Sequence, residues 1–263
     1  MDSFLATPFS EPPYFLLLTA IVFAVVFLRY LLFSGIYHYL FYRWLGPRFS
    51  RRILNGPSWP KQQLRREVWR SLLASLVFAL SGTLLVIAWQ RGWTRIYLDW
   101  SAHAWWYHPL SLLLALFLQD TYYYWLHRWM HRPRVYRRIH KWHHDSIRTS
   151  SLTSFSFHPV ESTLQAVFVP ALILFLPMHL IVLFVYLLIM TLSGTINHAG
   201  VEVFPAGAER HWLGKWIIGA TYHDQHHKLF RVNFGLYFTF WDRWMRTESR
   251  DYEETFRRHT GGK

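Results

Sequence analysis

Eight histidines stand in three clusters at spacings that suit a transition metal. They are His127 and His131 in HRWMH, His140, His143 and His144 in HKWHH, and His223, His226 and His227 in HDQHH. Five of the sixteen histidines fall between His127 and His144, where an even spread would put about one. On a helix, positions i, i+3 and i+4 share one face. Neutral imidazoles offered from neighbouring turns are what a borderline metal takes, and helix bundles build such sites from facing helices that each supply a pair. Eight rings are too many for one ion and suit two.

Two further histidines are candidate ligands, His198 in NHAG and His158 in FHPVE. Asp120, Glu161, Asn197, Asp224 and Asp242 are candidates to orient the ring N–H groups from behind, though each alone reads equally as a cap or a surface group. His38, His103, His108, His179, His211 and His259 have no partner at ligand spacing and read as interfacial or surface residues. The absence of cysteine excludes disulfides, thiolate sites and iron–sulfur clusters, so any metal is held by His, Asp or Glu.

The elements that carry these residues are apolar and helical. The chain of 263 residues is 52% hydrophobic and 19% aromatic, high for a soluble protein, and its net charge of +13 fits the positive-inside bias of a membrane protein better than a nucleic-acid binder. The amino terminus, with Asp2 and Glu11 and no Lys or Arg ahead of the first apolar run, lacks a signal-peptide start and reads as retained. That run, Tyr14 to Leu28 with a continuation to Phe41, is a first span. A basic loop from Arg43 to Arg70, broken by Pro47, Gly56, Pro57 and Pro60, reads as cytoplasmic, and Ser71 to Trp89 is a second span.

A third apolar helix begins at Pro109 and brings His127 and His131 back to the cytoplasmic side. Leu164 to Ile196 exceeds one span and falls short of two; it reads as a helical hairpin turning near Pro177 and Met178 in preference to a single tilted, kinked span, which would strand the last histidines across the membrane from the first. The expected fold is therefore all-α, with about four transmembrane helices, two of them as a hairpin, and a cytoplasmic helical cap. Residues 1–108 would form an N-terminal membrane region and residues 109–263 a catalytic region.

The three ordered histidine clusters, with FHPVE, NHAG and VNFGLYFTFWDRW, resemble the fatty acid hydroxylase/sterol desaturase superfamily over roughly Leu110 to Thr247. The resemblance implies that the eight motif histidines bind two metal ions, iron in function and zinc as an alternative occupant. It also implies that the pair activates O2 to hydroxylate an unactivated C–H bond of a lipid. Desaturation on the same site is the first alternative, and a non-catalytic zinc-binding protein or metal carrier is an alternative of another class. The chain has no GxGxxG and no cysteines, so electrons would come from a cytoplasmic carrier of ferredoxin or cytochrome b5 type. The carboxyl-terminal HTGGK carries no retrieval signal, which leans toward a bacterial inner membrane over an endoplasmic reticulum.

Overall fold

Two long apolar stretches separated by a basic, proline-broken loop fold back on each other in the computed structural model, which describes residues 7–56 and 58–261. Asp2, Pro57, Gly262 and Lys263 lie outside the described residues. Helix α1 (Pro12–His38) opens on a proline pair, whose missing N–H groups cost nothing in a first turn, and continues as a π-helical stretch, Tyr39–Trp44. Helix α2 (Lys61–Gln90) returns beside it. Small and hydroxyl-bearing residues let the two approach closely: Ser71, Ala74, Ser75 and Ala79 are fully buried, and the Thr19 and Thr83 hydroxyls share a hydrogen bond of 3.1 Å.

Helix α3 (Tyr107–Met130) has 24 residues and rises roughly 36 Å. Beyond it a π-helical turn, Tyr136–His140, leads into α4 (Lys141–His144), a single turn. Residues 164–196 form the expected hairpin. Its first limb is α5 (Pro159–Ala166) and α6 (Phe168–Phe175), the chain turns at Leu176 and Pro177, and α7 (Leu180–His198) returns. A two-residue parallel pairing, β1 (Ile96–Tyr97) with β2 (Met178–His179), ties that turn to the loop after α2. The cap holds α8 (Ala220–Leu229), α9 (Phe240–Trp244) and α10 (Tyr252–Thr260).

Three helices among the described residues are long and apolar enough to cross a membrane: α1 with its extension to Trp44, α2 and α7. The expected count was about four. The difference lies in composition: the apolar run of α3 ends at Leu118, its second half carries the polar site residues, and the first limb of the hairpin, Pro159–Phe175, is shorter than a full span. The main core lies where α3, α6 and α7 meet, around Ala115, Leu116, Ile173, Val182 and Leu183. Leu16, Leu17, Leu28 and Leu32 on α1 are exposed, as a lipid-facing helix requires.

Candidate metal centre

The carboxyl ends of α3 and α7 come together under the cap, and nine histidine rings meet there. They divide into two groups within which one ligand nitrogen of every ring lies within 4.8 Å of the others. The first is His127, His131, His140, His144 and His226, and the second is His143, His198, His223 and His227. The division cuts across the sequence motifs. In each HxxHH the i, i+4 pair goes to one group and the middle ring crosses to the other, so His143 leaves His140 and His144, and His226 leaves His223 and His227. All three positions share a face, but on a helix i+4 is offset about 40° to one side of i and i+3 about 60° to the other, so their rings can diverge to different groups.

Hydrogen bonds from behind fix which nitrogen faces inward. His127 Nδ1–H donates to the Phe234 carbonyl at 2.8 Å, His226 Nδ1–H to Val232 at 2.7 Å and His198 Nδ1–H to Gly194 at 2.7 Å. His140 Nδ1–H donates to Glu161 Oε1 at 2.9 Å, both groups being fully buried. A neutral imidazole has one N–H, so these four rings turn bare Nε2 lone pairs inward.

Two of those lone pairs face each other directly, and the other two face further rings. His127 Nε2 and His140 Nε2 are 3.1 Å apart, and neither has a proton to share. His226 Nε2 lies 3.1 Å from the Nε2 atoms of both His131 and His144, and His198 Nε2 lies 3.1 Å from that of His143 and 2.9 Å from that of His223. Both ring nitrogens of His227 are buried without a hydrogen-bond partner. Protonation cannot relieve the crowding. Burial, reinforced by neighbouring rings, holds His140, His143, His144, His223, His226 and His227 well below the usual histidine pKa and pushes His131 down to about 2. Converging, unprotonated nitrogen donors fit divalent metal cations, and the all-nitrogen donor set suits iron or zinc.

The candidate outer residues reach the rings by different routes. Glu161 touches a ring directly. Asp120 Oδ1 accepts the backbone N–H groups of Leu236, Tyr237 and Phe238, Asp242 accepts those of Phe234 and Gly235, and Asn197 donates to the Leu236 carbonyl. These three clamp residues 234–238, and through that loop they place the Phe234 carbonyl behind His127. Asn233, at φ 60°, makes the turn into the loop and donates to Tyr222 O, a conformation Asn tolerates better than most residues. Asp224 contacts no ring of the site; it binds Asn55 at 2.5 Å and Lys228 at 2.6 Å.

His158 is outside both groups. Its Nδ1 accepts the Val160 N–H as the N-cap of α5, and its ring packs edge-on against Trp142. The backbone carbonyls of Gly194, Val232 and Phe234, which hold three rings, were not among the candidates, because a carbonyl carries no residue-type signal. Glu67 on α2 was also missed. It lies outside every histidine motif, yet it is fully buried and bonded to the segment after α4.

A helical membrane protein with nine converging histidines, eight of them buried, in two candidate metal-binding groups is the class that fold and site define. Residues 112–247 match the fatty acid hydroxylase family, so the chain belongs to that family, within the fatty acid hydroxylase/sterol desaturase superfamily. Among curated relatives, the Delta(7)-sterol 5(6)-desaturase ERG3B of Gibberella zeae is 30% identical over 197 residues, covering 74% of this chain and 58% of the relative. Lathosterol oxidase of Homo sapiens is 30% identical over 206 residues, covering 74% and 64%. The Delta(7)-sterol 5(6)-desaturase of Candida glabrata is 31% identical over 205 residues, covering 74% and 52%. The chain thus spans about half to two thirds of the length of the relatives it matches. No solved structure matches it.

Proposed function

We propose that the chain is an O2-dependent oxidoreductase acting on an unactivated C–H bond of a membrane lipid, its nine grouped histidines holding two metal ions, iron in the working protein. The His127–His140 contact carries the reading: both rings hold their proton on Nδ1, so two Nε2 lone pairs face each other at 3.1 Å, which a shared cation relieves. When bound, the redox metals supply the oxidising power that organic side chains lack.

The chain's own residues do the positioning. Phe234, Val232 and Gly194 carbonyls and the Glu161 carboxylate fix ring tautomer and aim, and burial of the rings keeps bulk water from the reacting atoms. The substrate reaches the rings from the bilayer beside α3 and α7. The names of the relatives favour a sterol-like lipid and dehydrogenation of adjacent carbons; the family description favours hydroxylation as the second reading.

The basic loop from Arg43 to Arg70 supports a cytoplasmic position for the site. There Arg132, Arg134, Arg137, Arg138 and Lys141 form a face suited to an acidic electron carrier of ferredoxin or cytochrome b5 type. The relatives come from eukaryotes, which lends no support to a bacterial inner membrane.

Lipid profiling of expressing cells under 18O2 tests the reaction. A product two hydrogens lighter without label is the expected result, a labelled hydroxyl moves the assignment to hydroxylation, and an unchanged lipid profile defeats both.

A further inference from the structure

The carboxylate of Glu67, in the second turn of α2, is fully buried and accepts four hydrogen bonds. Oε1 takes the Gln63 amide at 2.8 Å, the Ser146 hydroxyl at 2.6 Å and the Thr153 hydroxyl at 2.9 Å; Oε2 takes the Ser150 hydroxyl at 2.6 Å. Three of the four donors lie on one stretch, residues 145–156, which joins α4 to the hairpin. The same stretch is tied down around Glu67: Arg70 donates to Asp145 Oδ2 at 2.9 Å, Trp59 to Thr149 O at 3.0 Å and Tyr30 to Leu152 O at 2.9 Å. All of these anchors precede residue 112, where the match to the family begins.

We propose that Glu67 is a positioning residue for the metal centre, acting through the 145–156 strap to set His143 and His144, one ring for each group. The proposal rests on the two-metal reading above. Helix α4 is a single turn and has too little hydrogen bonding of its own to hold its rings in register. Ser146, bonded to Glu67, lies two residues past His144, and its N–H donates back to His143 O at 3.3 Å. Movement of the strap therefore moves both rings.

The two groups do not suffer equally. The five-ring group without His144 keeps four donors, a full tetrahedral complement, whereas the four-ring group without His143 keeps three. The ion of the four-ring group is the one that leaves first. Residues 1–108 are then more than an anchor, because α2 holds part of the site in place.

Metal content and helical content of the detergent-purified full chain, measured on Glu67→Ala and Glu67→Gln, test this. Glutamine keeps the shape and the Oε1 acceptor, and the Ser150 hydroxyl can rotate to accept from its Nε2. The wild type is expected to hold about two ions, Glu67→Ala about one with unchanged helical content, and Glu67→Gln about two. A Ser150→Ala/Thr153→Ala double variant removes two of the same bonds together with the capping box that Ser150 and Thr153 form within the strap, leaves α2 untouched, and is expected to lose at least as much metal as Glu67→Ala. Wild-type occupancy in both Glu67→Ala and the double variant overturns the proposal and leaves the two-metal reading standing. Loss of both ions together with helical content in both overturns it too, as a merely structural role. A wild type without metal overturns both readings.

Discussion

The molecule holds two clusters of buried histidines, one at each end of α3 and α7, and they differ in one respect that decides their roles. At the amino ends, His108 is 3% exposed and His179 is 4% exposed, about as buried as the ligand candidates. Yet their ring nitrogens have partners: His108 meets the Tyr97 hydroxyl at 3.3 Å and the Trp100 carbonyl at 3.1 Å. His179 meets the Leu98 carbonyl at 2.9 Å and accepts the Ile181 N–H at 3.1 Å. At the carboxyl ends the outward Nδ1 atoms of four rings have partners, but the inward Nε2 atoms meet only each other. Burial does not separate a structural histidine from a ligand; the supply of hydrogen-bond partners does.

Substitution at each end gives the sharpest test of that contrast and the largest expected effect. His143→Ala leaves the four-ring group three donors, so metal content in purified protein should fall by about one ion, whereas His226→Ala leaves the five-ring group four and should show the smaller loss. Lipid product should fall by more than about 100-fold, beyond the 10–100-fold typical of outer partners. His108→Ala and His179→Ala should leave metal content unchanged and lower thermal stability by about 1–3 kcal/mol, the cost of orphaned buried partners. Equal metal loss at both ends would erase the distinction.

Acid separates the site from the rest of the fold next most strongly. In metal-stripped protein the seven site rings from His131 to His144 and from His223 to His227 have folded-state pKa values depressed below the ordinary 6.5. The unfolded chain takes up protons that the folded chain refuses, so stability is fully present above about pH 6.5 and declines as pH falls below it, by up to roughly 1.4 kcal/mol per ring per pH unit. Melting curves at pH 8 and pH 5.5 should show a large drop for stripped protein. Bound metal, which competes with the protons for the same nitrogens, should delay it. A flat profile would mean that the rings are not buried as neutral groups.

Glu161→Gln weakens one ring without removing it. His140 Nδ1–H keeps an acceptor in the amide oxygen but loses the carboxylate, which raises the basicity of the opposite nitrogen, so metal affinity should drop about 10–100-fold in a chelator titration.

The sequence made the histidines legible because their signal is local: residue type and i, i+3, i+4 spacing survive without knowledge of the fold. The hairpin and its turn at Pro177 were legible from apolar length, a breaker and the need to keep the last histidines on the same side as the first. What spacing could not show was the crossing of His143 and His226 into the opposite groups, which depends on how α3, α4, α7 and α8 face one another. Nor could it show that Asp120 and Asp242 serve the site through the backbone of residues 234–238, or that Glu67 reaches the strap across the seam between the two halves. Those are tertiary facts carried by groups whose residue type has many ordinary uses.

His158 is where local pattern and tertiary placement part most clearly, and it supplies the smallest test. FHPVE sets it three residues before a carboxylate that does reach a ring, and the hairpin brings it to the correct side of the molecule. Its own backbone, at φ −69° and ψ 143°, is that of a helix N-cap, with Pro159 at the first helical position; Nδ1 is taken by the Val160 N–H at 3.2 Å. A nitrogen already accepting a hydrogen bond is not free to bind an ion, and Trp142 lies against the ring. His158→Asn, which can cap in the same way, should be nearly silent. His158→Ala should cost about 1 kcal/mol of stability, as loss of an N-cap does, with metal content unchanged within error. Loss of an ion in His158→Asn would make it a tenth ligand and extend the centre beyond the nine rings that converge.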